Sequence, residues 1–343
     1  MTPSPAVLRA FDLTGSAIRR VETGLIHRTF KVDAPSGKSY ALQAVSPIFQ
    51  PEVHEDIEAV TRHLAHKGLL TPLLLRSTSG ELFVREGEEI WRALSWIPGR
   101  SFERVERPRV AAEGARLLGR FHRALSDLRH TFKARRLGVH DTPKHLRTLE
   151  EAVATHVNHR LRKEVAPLAL EILTEASTLP DLSEIPERIV HGDPKISNVL
   201  FAEAEDSAIA LVDLDTIAPM QLPLELGDAL RSWCNPGGED AAEVRFDVDI
   251  FAAALAGYAA EGPSLSPAEI AAIGPTTRMI MLELAARFLA DALNERYFGW
   301  DQTRFGSRGE HNLVRAKGQL RLAQDFDRRP QEIAAAVVAA FAR

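Results

Sequence analysis

The stretch His191-Gly192-Asp193-Pro194-Lys195-Ile196-Ser197-Asn198 sets a carboxylate five residues ahead of an amide, and Asp213 follows fifteen residues after that amide. Between them, residues 199–201 and 208–214 are apolar enough for two strands, separated by the polar turn 203–207. Antiparallel pairing of those strands brings Asn198 and Asp213 side by side, with Asp193 in the loop that feeds the same end. Two carboxylates and an amide converging on one edge make an oxygen-ligand site for a hard cation. Phosphoryl transfer needs such a site. Mg²⁺ takes one or two carboxylates plus phosphate oxygens, and a separate carboxylate accepts the proton of the attacking hydroxyl. On this reading Asp193 is the catalytic base, and Asn198 and Asp213 are the metal ligands. Each residue alone reads as an ordinary turn former; the spacing around the hairpin carries the chemistry.

His-Gly-Asp, four residues, Asn and then Leu-Val-Asp on the next strand resemble the aminoglycoside phosphotransferase and choline kinase superfamily. The resemblance implies an α+β, protein-kinase-like two-lobed fold that uses ATP and Mg²⁺. Asp193 matches the catalytic aspartate of those enzymes, and Asn198 and Asp213 match their Mg²⁺ ligands. Asp215, two residues on, is a further candidate for metal or substrate contacts. The Asp-Phe-Gly of protein kinases is absent, because Asp213 is followed by Leu214-Asp215. Further segments resemble the N-acetylhexosamine 1-kinase branch: Gly24-Leu25-Ile26-His27-Arg28-Thr29-Phe30, Tyr40-Ala41-Leu42-Gln43, His140-Asp141-Thr142-Pro143, Asp213-Leu214-Asp215-Thr216, and His311-Asn312-Leu313 within residues 308–320. That branch implies the anomeric hydroxyl of an N-acetylhexosamine as acceptor. Aminoglycosides, choline-like alcohols and homoserine are the alternatives within the superfamily.

On the nucleotide side, residues 24–29 would cover the phosphates. The loop holds a single glycine, Gly24, where a kinase-type cover uses several, so His27 and Thr29 are expected to supply side-chain donors. Gln43 stands where kinases carry a strand lysine; its amide donates hydrogen bonds but brings no positive charge. Glu55 or Asp56 would be its helix partner, unless they only favour the helix dipole. Ser95-Trp96-Ile97 would be the hinge, with the backbone groups of Ser95 and Ile97 recognising adenine. Gln43 and the single-glycine loop also support a different class of reading, a catalytically silent kinase-like module that binds nucleotide or a partner.

On the acceptor side, Arg304 and Arg308 follow the cluster Tyr297-Phe298-Gly299-Trp300, an aromatic floor with bidentate donors suited to a sugar ring. Arg308 is the leading acceptor-binding candidate. Glu283, Arg287 and Asp291 share one helix face and read as an exposed ion-pair ladder. His140-Asp141 reads as a helix N-cap. Glu225 aligns by spacing with an acidic residue that braces the catalytic loop in the superfamily, although aspartate is usual there.

These residues need a frame to position them. Residues 29–32, 40–45, 82–84 and 90–95 read as strands, with one helix over 51–68. Helical spacing then governs 110–125, 153–177 (divided or kinked by Pro167), 241–260, 267–293, 312–326 and 331–342. The expected organisation is an N-terminal nucleotide-binding lobe over residues 1–94, a hinge at 95–100, and a C-terminal catalytic and acceptor-binding lobe over 101–343. Composition agrees with an ordinary globular enzyme, at 45% hydrophobic and 26% charged residues over 343 positions. A net charge of −5 offers no global basic field for nucleic acid or an anionic membrane. One cysteine, Cys234, excludes an internal disulfide and fits a reducing cytoplasm, and residues 1–13 lack a signal-peptide pattern.

Overall fold

The computed structural model describes residues 2–22, 26–134, 139–241 and 244–342. Helix α1 (Pro5–Ala10) is capped by Ser4 and leads into an antiparallel sheet of β1 (Ala17–Val21), β2 (Arg28–Asp33) and β3 (Ser39–Val45). Helix α2 (Val53–His66) follows, then β4 (Leu74–Leu75), β5 (Val84–Glu86) and β6 (Glu89–Ser95). The strand order is β1-β2-β3-β6-β4, with β5 also on β6. Side chains alternate across this sheet, as the pleat requires. Phe30, Val32, Leu42, Ala44, Trp91 and Ala93 bury one face against Val7, Phe11 and Leu13. The other face carries Thr29, Gln43 and Arg92, which stand in one cross-strand row because Thr29 pairs Gln43 and Gln43 pairs Arg92.

Helix α2 presents Val53, Ile57, Val60 and Leu64 at helical spacing, and these join the core of the larger lobe. That lobe comprises α3 (Pro108–Leu125), α4 (Thr142–Thr155), α5 (Arg162–Ala176), β7 (Glu187–Val190), β8 (Val199–Phe201), β9 (Ala208–Leu211) and β10 (Ala218–Gln221), with α6 (Leu222–Trp233), α7 (Val248–Glu261), α8 (Pro267–Asn294), α9 (Arg308–Asp327) and α10 (Pro330–Phe341). The result is a mixed α+β chain with a small sheet-rich lobe and a larger helical one. Helix α8 runs through the middle of the helical lobe. It is buried on nearly every side and starts from a capping box between Ser266 and Glu269. Helices α3 and α7 cross closely, because Gly257 carries no Cβ to strike the Ala112 backbone. Among the described residues no helix is long and apolar enough to cross a membrane.

Three expectations from the sequence are corrected here. The helical stretch expected over 153–177 breaks at residues 156–161, not at Pro167, which lies within α5. The break contains Val157, Asn158 and His159, weak helix formers in succession, whereas Pro167 near the start of α5 forfeits one backbone bond. The second hairpin strand stops at Leu211 because Asp213 turns left-handed, with φ 63° and ψ 55°. The helix expected from residue 241 begins at Val248, where the Asp247 side chain accepts from the amides of Asp249 and Ile250. Gly24 lies outside the described residues.

Candidate active site

The hairpin β8–β9 has the register Val199 to Leu211, so Asn198 and Asp213 do lie at one end of it. The Val212 amide donates to the Asn198 carbonyl at 2.9 Å. Asn198 Nδ2 donates to the Asp193 carbonyl at 2.9 Å and to Asp193 Oδ2 at 3.1 Å. Lys195 Nζ donates to the same Oδ2 at 2.7 Å. Asp193 Oδ1 is left without a protein partner among the described residues, and so is Asn198 Oδ1. One carboxylate oxygen is therefore anchored while the other is free to take a proton.

The loop is held from below. Gly192 has φ 82°, and a Cβ there would run into the Thr216 carbonyl. His191 is fully buried: its Nε2–H donates to the Val212 carbonyl at 2.9 Å, and its Nδ1 accepts from the Asp193 amide at 3.3 Å. Glu225, on α6, accepts from the amides of His191 at 2.9 Å and Gly192 at 2.6 Å. It also accepts from His122 Nε2 at 3.1 Å, and His122 Nδ1 pairs with the Tyr258 hydroxyl at 3.0 Å. Burial works against ionising Glu225, but His122 and the loop amides outweigh it and hold its pKa below the ordinary value. The bracing role that a glutamate left open in the sequence is thus filled, the longer stem reaching both amides.

Two cavities meet at Asp213. The one between the lobes, about 590 Å³, is lined by Thr29, Gln43, Arg92, Ser95, Ile97, Lys195, Asn198 and Asp213. The amides of Ser95 and Trp96 are bound to the Leu73 and Ser39 carbonyls, and Ser95 Oγ accepts from the Leu73 amide. The Ile97 amide has no protein acceptor among the described residues, which leaves it available at the hinge. Gln43 Nε2 donates to Thr29 Oγ1 at 3.1 Å, and Gln43 Oε1 accepts from Arg92 Nε at 2.9 Å. Arg92, which sequence reasoning missed, also makes a bidentate pair with Asp215, both N–O distances being 2.6 Å. A charged residue inside the apolar run Ile90-Trp91-Arg92-Ala93-Leu94 was the available signal, since a buried cation needs a partner.

That pair reassigns two candidates. Asp215 is 3% exposed, which keeps it from direct contact with substrate, although its carboxylate lies within 4.8 Å of ligand atoms of Asp213 and His27. Burial alone would raise its pKa, but Arg92 and His27 hold it well below the ordinary carboxylate range. His27 is turned inward too: its Nδ1 accepts from the Ser46 amide at 3.1 Å, so its Nε2–H donates to Asp215 at 3.1 Å rather than to a phosphate. Asp213 is the opposite case, raised by burial and by the charge of Asp215. Glu55 and Asp56 do not reach Gln43. Asp56 accepts from His130 at 2.7 Å and from the amides of Lys133 and Ala134, and Glu55 pairs with Lys133.

The second cavity, about 510 Å³, opens on Asp193 and Asp213 and reaches Asp228, Glu283, Arg287, Tyr297 and Phe298. The expected ladder on α8 keeps its Glu283–Arg287 ion pair, at 3.6 Å, but its carboxylates are buried rather than exposed. Glu283 accepts from Thr142 Oγ1 at 2.6 Å and pairs with His140 Nδ1 at 3.1 Å. Asp291 accepts from the amides of Arg296, Tyr297 and Phe298, fixing the turn after α8. Arg287 lies over the Phe298 ring at 5.7 Å, beside the cavity. Asp141 caps α4 as expected, accepting from the Lys144 amide at 3.1 Å.

Arg308 and Arg304 do not line this cavity. Arg308 Nη1 donates to the Glu295 carbonyl at 3.3 Å, tying the start of α9 to the end of α8. Arg304 lies over Phe305 and reaches the Asp240 carbonyl at 3.5 Å. The chain reverses between α8 and α9, where both guanidinium groups bond to backbone carbonyls outside the cavity, and Arg287 is the arginine of α8 that lines it.

Residues 17–263 match the phosphotransferase enzyme family. An aminoglycoside phosphotransferase from Alicyclobacillus acidocaldarius subsp. acidocaldarius DSM 446 is 17% identical, with 96% of each chain covered and a TM-score of 0.66. An amicoumacin kinase bound to AMP-PNP and Ca²⁺ is 16% identical over 91% of this chain and 89% of its own, with a TM-score of 0.60. Choline kinase from Cryptosporidium parvum Iowa II is 14% identical over 95% of this chain and 92% of its own, with a TM-score of 0.56. At these identities the likeness establishes a shared fold. The family match spans residues 95–97, the β8–β9 hairpin and Glu225, and by it the chain belongs to the phosphotransferase enzyme family, as a small-molecule phosphotransferase with a hydroxyl acceptor on a protein-kinase-like frame.

Proposed function

We propose that the protein transfers the γ-phosphate of ATP to the anomeric hydroxyl of an N-acetylhexosamine. The observation that carries the transfer is the meeting of the two cavities at Asp213, with Asn198 and Lys195 in one and Asp193 in the other. A nucleotide in the inter-lobe cavity directs its terminal phosphate at that junction, with the hinge amide of Ile97 at the far end. An acceptor in the second cavity brings its hydroxyl to Asp193. The donor set fits Mg²⁺, since Asn198 Oδ1 has no hydrogen-bond donor among the described residues and the Asp213 carboxylate lies beside a second carboxylate whose repulsion a cation relieves. When bound, the ion would be held by Asn198 and Asp213 and would neutralise charge on the phosphate oxygens. The Asp193 Oδ1 atom accepts the hydroxyl proton, with Oδ2 held by Lys195 and Asn198.

The cavity lining supports a neutral, hydroxyl-rich acceptor. Glu283 and Asp291 are already satisfied by internal donors, and Asp228 pairs with Arg231 at 2.6 Å, so little uncompensated negative charge awaits a polycation. Arg287 lies over the Phe298 ring at 5.7 Å, which puts a cation where a quaternary ammonium would stack on that ring. Arg287 itself offers paired donors to ring hydroxyls or an acetamido carbonyl. The test is ATP consumption with Mg²⁺ across N-acetylhexosamines, aminoglycosides, choline and homoserine, with phosphorus NMR of the product. Turnover with an N-acetylhexosamine and an anomeric phosphate is expected. Turnover confined to aminoglycosides or choline overturns the acceptor, and absence of ATP consumption with the whole panel favours the silent binding module.

A further inference from the structure

The row Thr29, Gln43, Arg92 crosses three strands, and its last member reaches out of the small lobe to Asp215 in the segment that follows Asp213. Arg92 is 2% exposed, so its charge is fully committed inside the protein. Its guanidinium can only donate. The Nε–H therefore dictates that Gln43 turns its oxygen toward Arg92 and its NH₂ toward the cavity, a choice that the amide itself would leave open. One of those amide hydrogens goes to Thr29 Oγ1, which makes that oxygen an acceptor and leaves its own hydrogen to donate elsewhere. The second amide hydrogen and the hydroxyl hydrogen are thus left to donate to a ligand, and both side chains line the inter-lobe cavity. At the other end, the bidentate fork and His27 fix Asp215, and with it the left-handed turn at Asp213.

We propose that Arg92 is a positioning residue that replaces the missing strand lysine in two parts: it orients Gln43 and Thr29 as neutral phosphate donors, and it ties the small lobe to the Asp213 turn through Asp215. The proposal rests on the nucleotide reading of the inter-lobe cavity. Protein kinases join a strand lysine to a helix glutamate inside the small lobe. Here the buried pair spans the lobes, so cavity width and metal-ligand placement are set by the same interaction.

A purely structural pair would stabilise the chain without affecting nucleotide affinity, and the two roles separate experimentally. Arg92→Met combined with Asp215→Leu exchanges the buried pair for apolar side chains and leaves the net charge unchanged. Arg92→Lys keeps the charge and loses the fork. The unaltered chain and both variants are titrated with Mg²⁺ and AMP-PNP by calorimetry and melted in parallel. The double variant is expected to melt near the unaltered chain and to bind Mg·AMP-PNP at least tenfold more weakly; Arg92→Lys is expected to bind at least threefold more weakly. Unchanged affinity in the double variant overturns the proposal, as does unchanged affinity in Arg92→Lys should the double variant not fold. If the unaltered chain does not bind Mg·AMP-PNP, the nucleotide reading itself falls, and the proposal with it.

Discussion

Asp193 combines an anchored oxygen with a free one, and that asymmetry decides what its replacement does. Asp193→Asn keeps a hydrogen-bonding side chain of the same shape but removes the proposed proton acceptor. Turnover should fall by about 10²–10⁴-fold, with Mg·AMP-PNP affinity within threefold of the unaltered chain; steady-state kinetics and calorimetry on one preparation check both, and retained turnover would show that another group takes the proton. Asp213→Ala should weaken Mg²⁺-dependent nucleotide binding more than Asn198→Ala, because a carboxylate neutralises the cation and an amide oxygen only ligates it. Identical metal titrations for the two variants would contradict the assignment. For Arg308, whose observed partner is a backbone carbonyl at 3.3 Å, Arg308→Ala should lower the melting temperature slightly and leave acceptor KM unchanged. A tenfold rise in acceptor KM would bring Arg308 back to the acceptor site.

One contact between elements braces the loop that carries Asp193. Helix α6 holds the loop through Glu225, whose two oxygens receive two backbone amides and a histidine. Glu225→Gln turns an NH₂ toward one of those N–H donors and strands it in the interior. A loss of about 1–3 kcal/mol of stability follows, read by urea unfolding, together with a fall in turnover as Asp193 loses its support. Helices α3 and α7 offer a control remote from the chemistry: Gly257→Ala forces a methyl group into the Ala112 backbone and should cost about 1–3 kcal/mol by overpacking. That variant should lose stability while nucleotide affinity, measured well below its melting temperature, stays the same. Parallel loss of affinity would mean that the α3–α7 crossing also shapes the cavities.

At the scale of the whole molecule, pH reports on how charge is buried between the lobes. His54, at the start of α2, is fully buried, its Nδ1–H on the Pro51 carbonyl at 2.7 Å and its Nε2 without a partner among the described residues. Burial, and then the nearby charge of Arg92, push its pKa down from 6.5 to about 4. The folded protein thus favours the neutral ring while the unfolded chain takes up a proton below pH 6.5. Stability from this residue is complete above pH 6.5 and declines as pH falls toward 4, by about 3 kcal/mol in all. The difference in unfolding free energy between pH 7 and pH 5 should shrink in His54→Phe; an unchanged difference would mean that His54 takes up its proton alike in the folded and unfolded chains.

What the sequence determined by itself is what covalent spacing and short-range periodicity can encode. The five- and fifteen-residue intervals among Asp193, Asn198 and Asp213 close on one hairpin end whatever the rest of the chain does, because an antiparallel pair admits little other geometry. The same holds for the long helices, whose apolar period is intrinsic, and for the Asp141 cap, which acts over three residues. Only the tertiary structure decided the rest. Arg92 faces Gln43 because β3 pairs with β6 across an intervening helix and two short strands, a register set by which face of each strand is buried. The α8 carboxylates became a buried wall because α4 and the turn after α8 pack over them. Arg308 left the acceptor side because the α8–α9 reversal points it at a helix end. In each case the deciding contact joins residues far apart in sequence, and its geometry follows from packing rather than from local propensity.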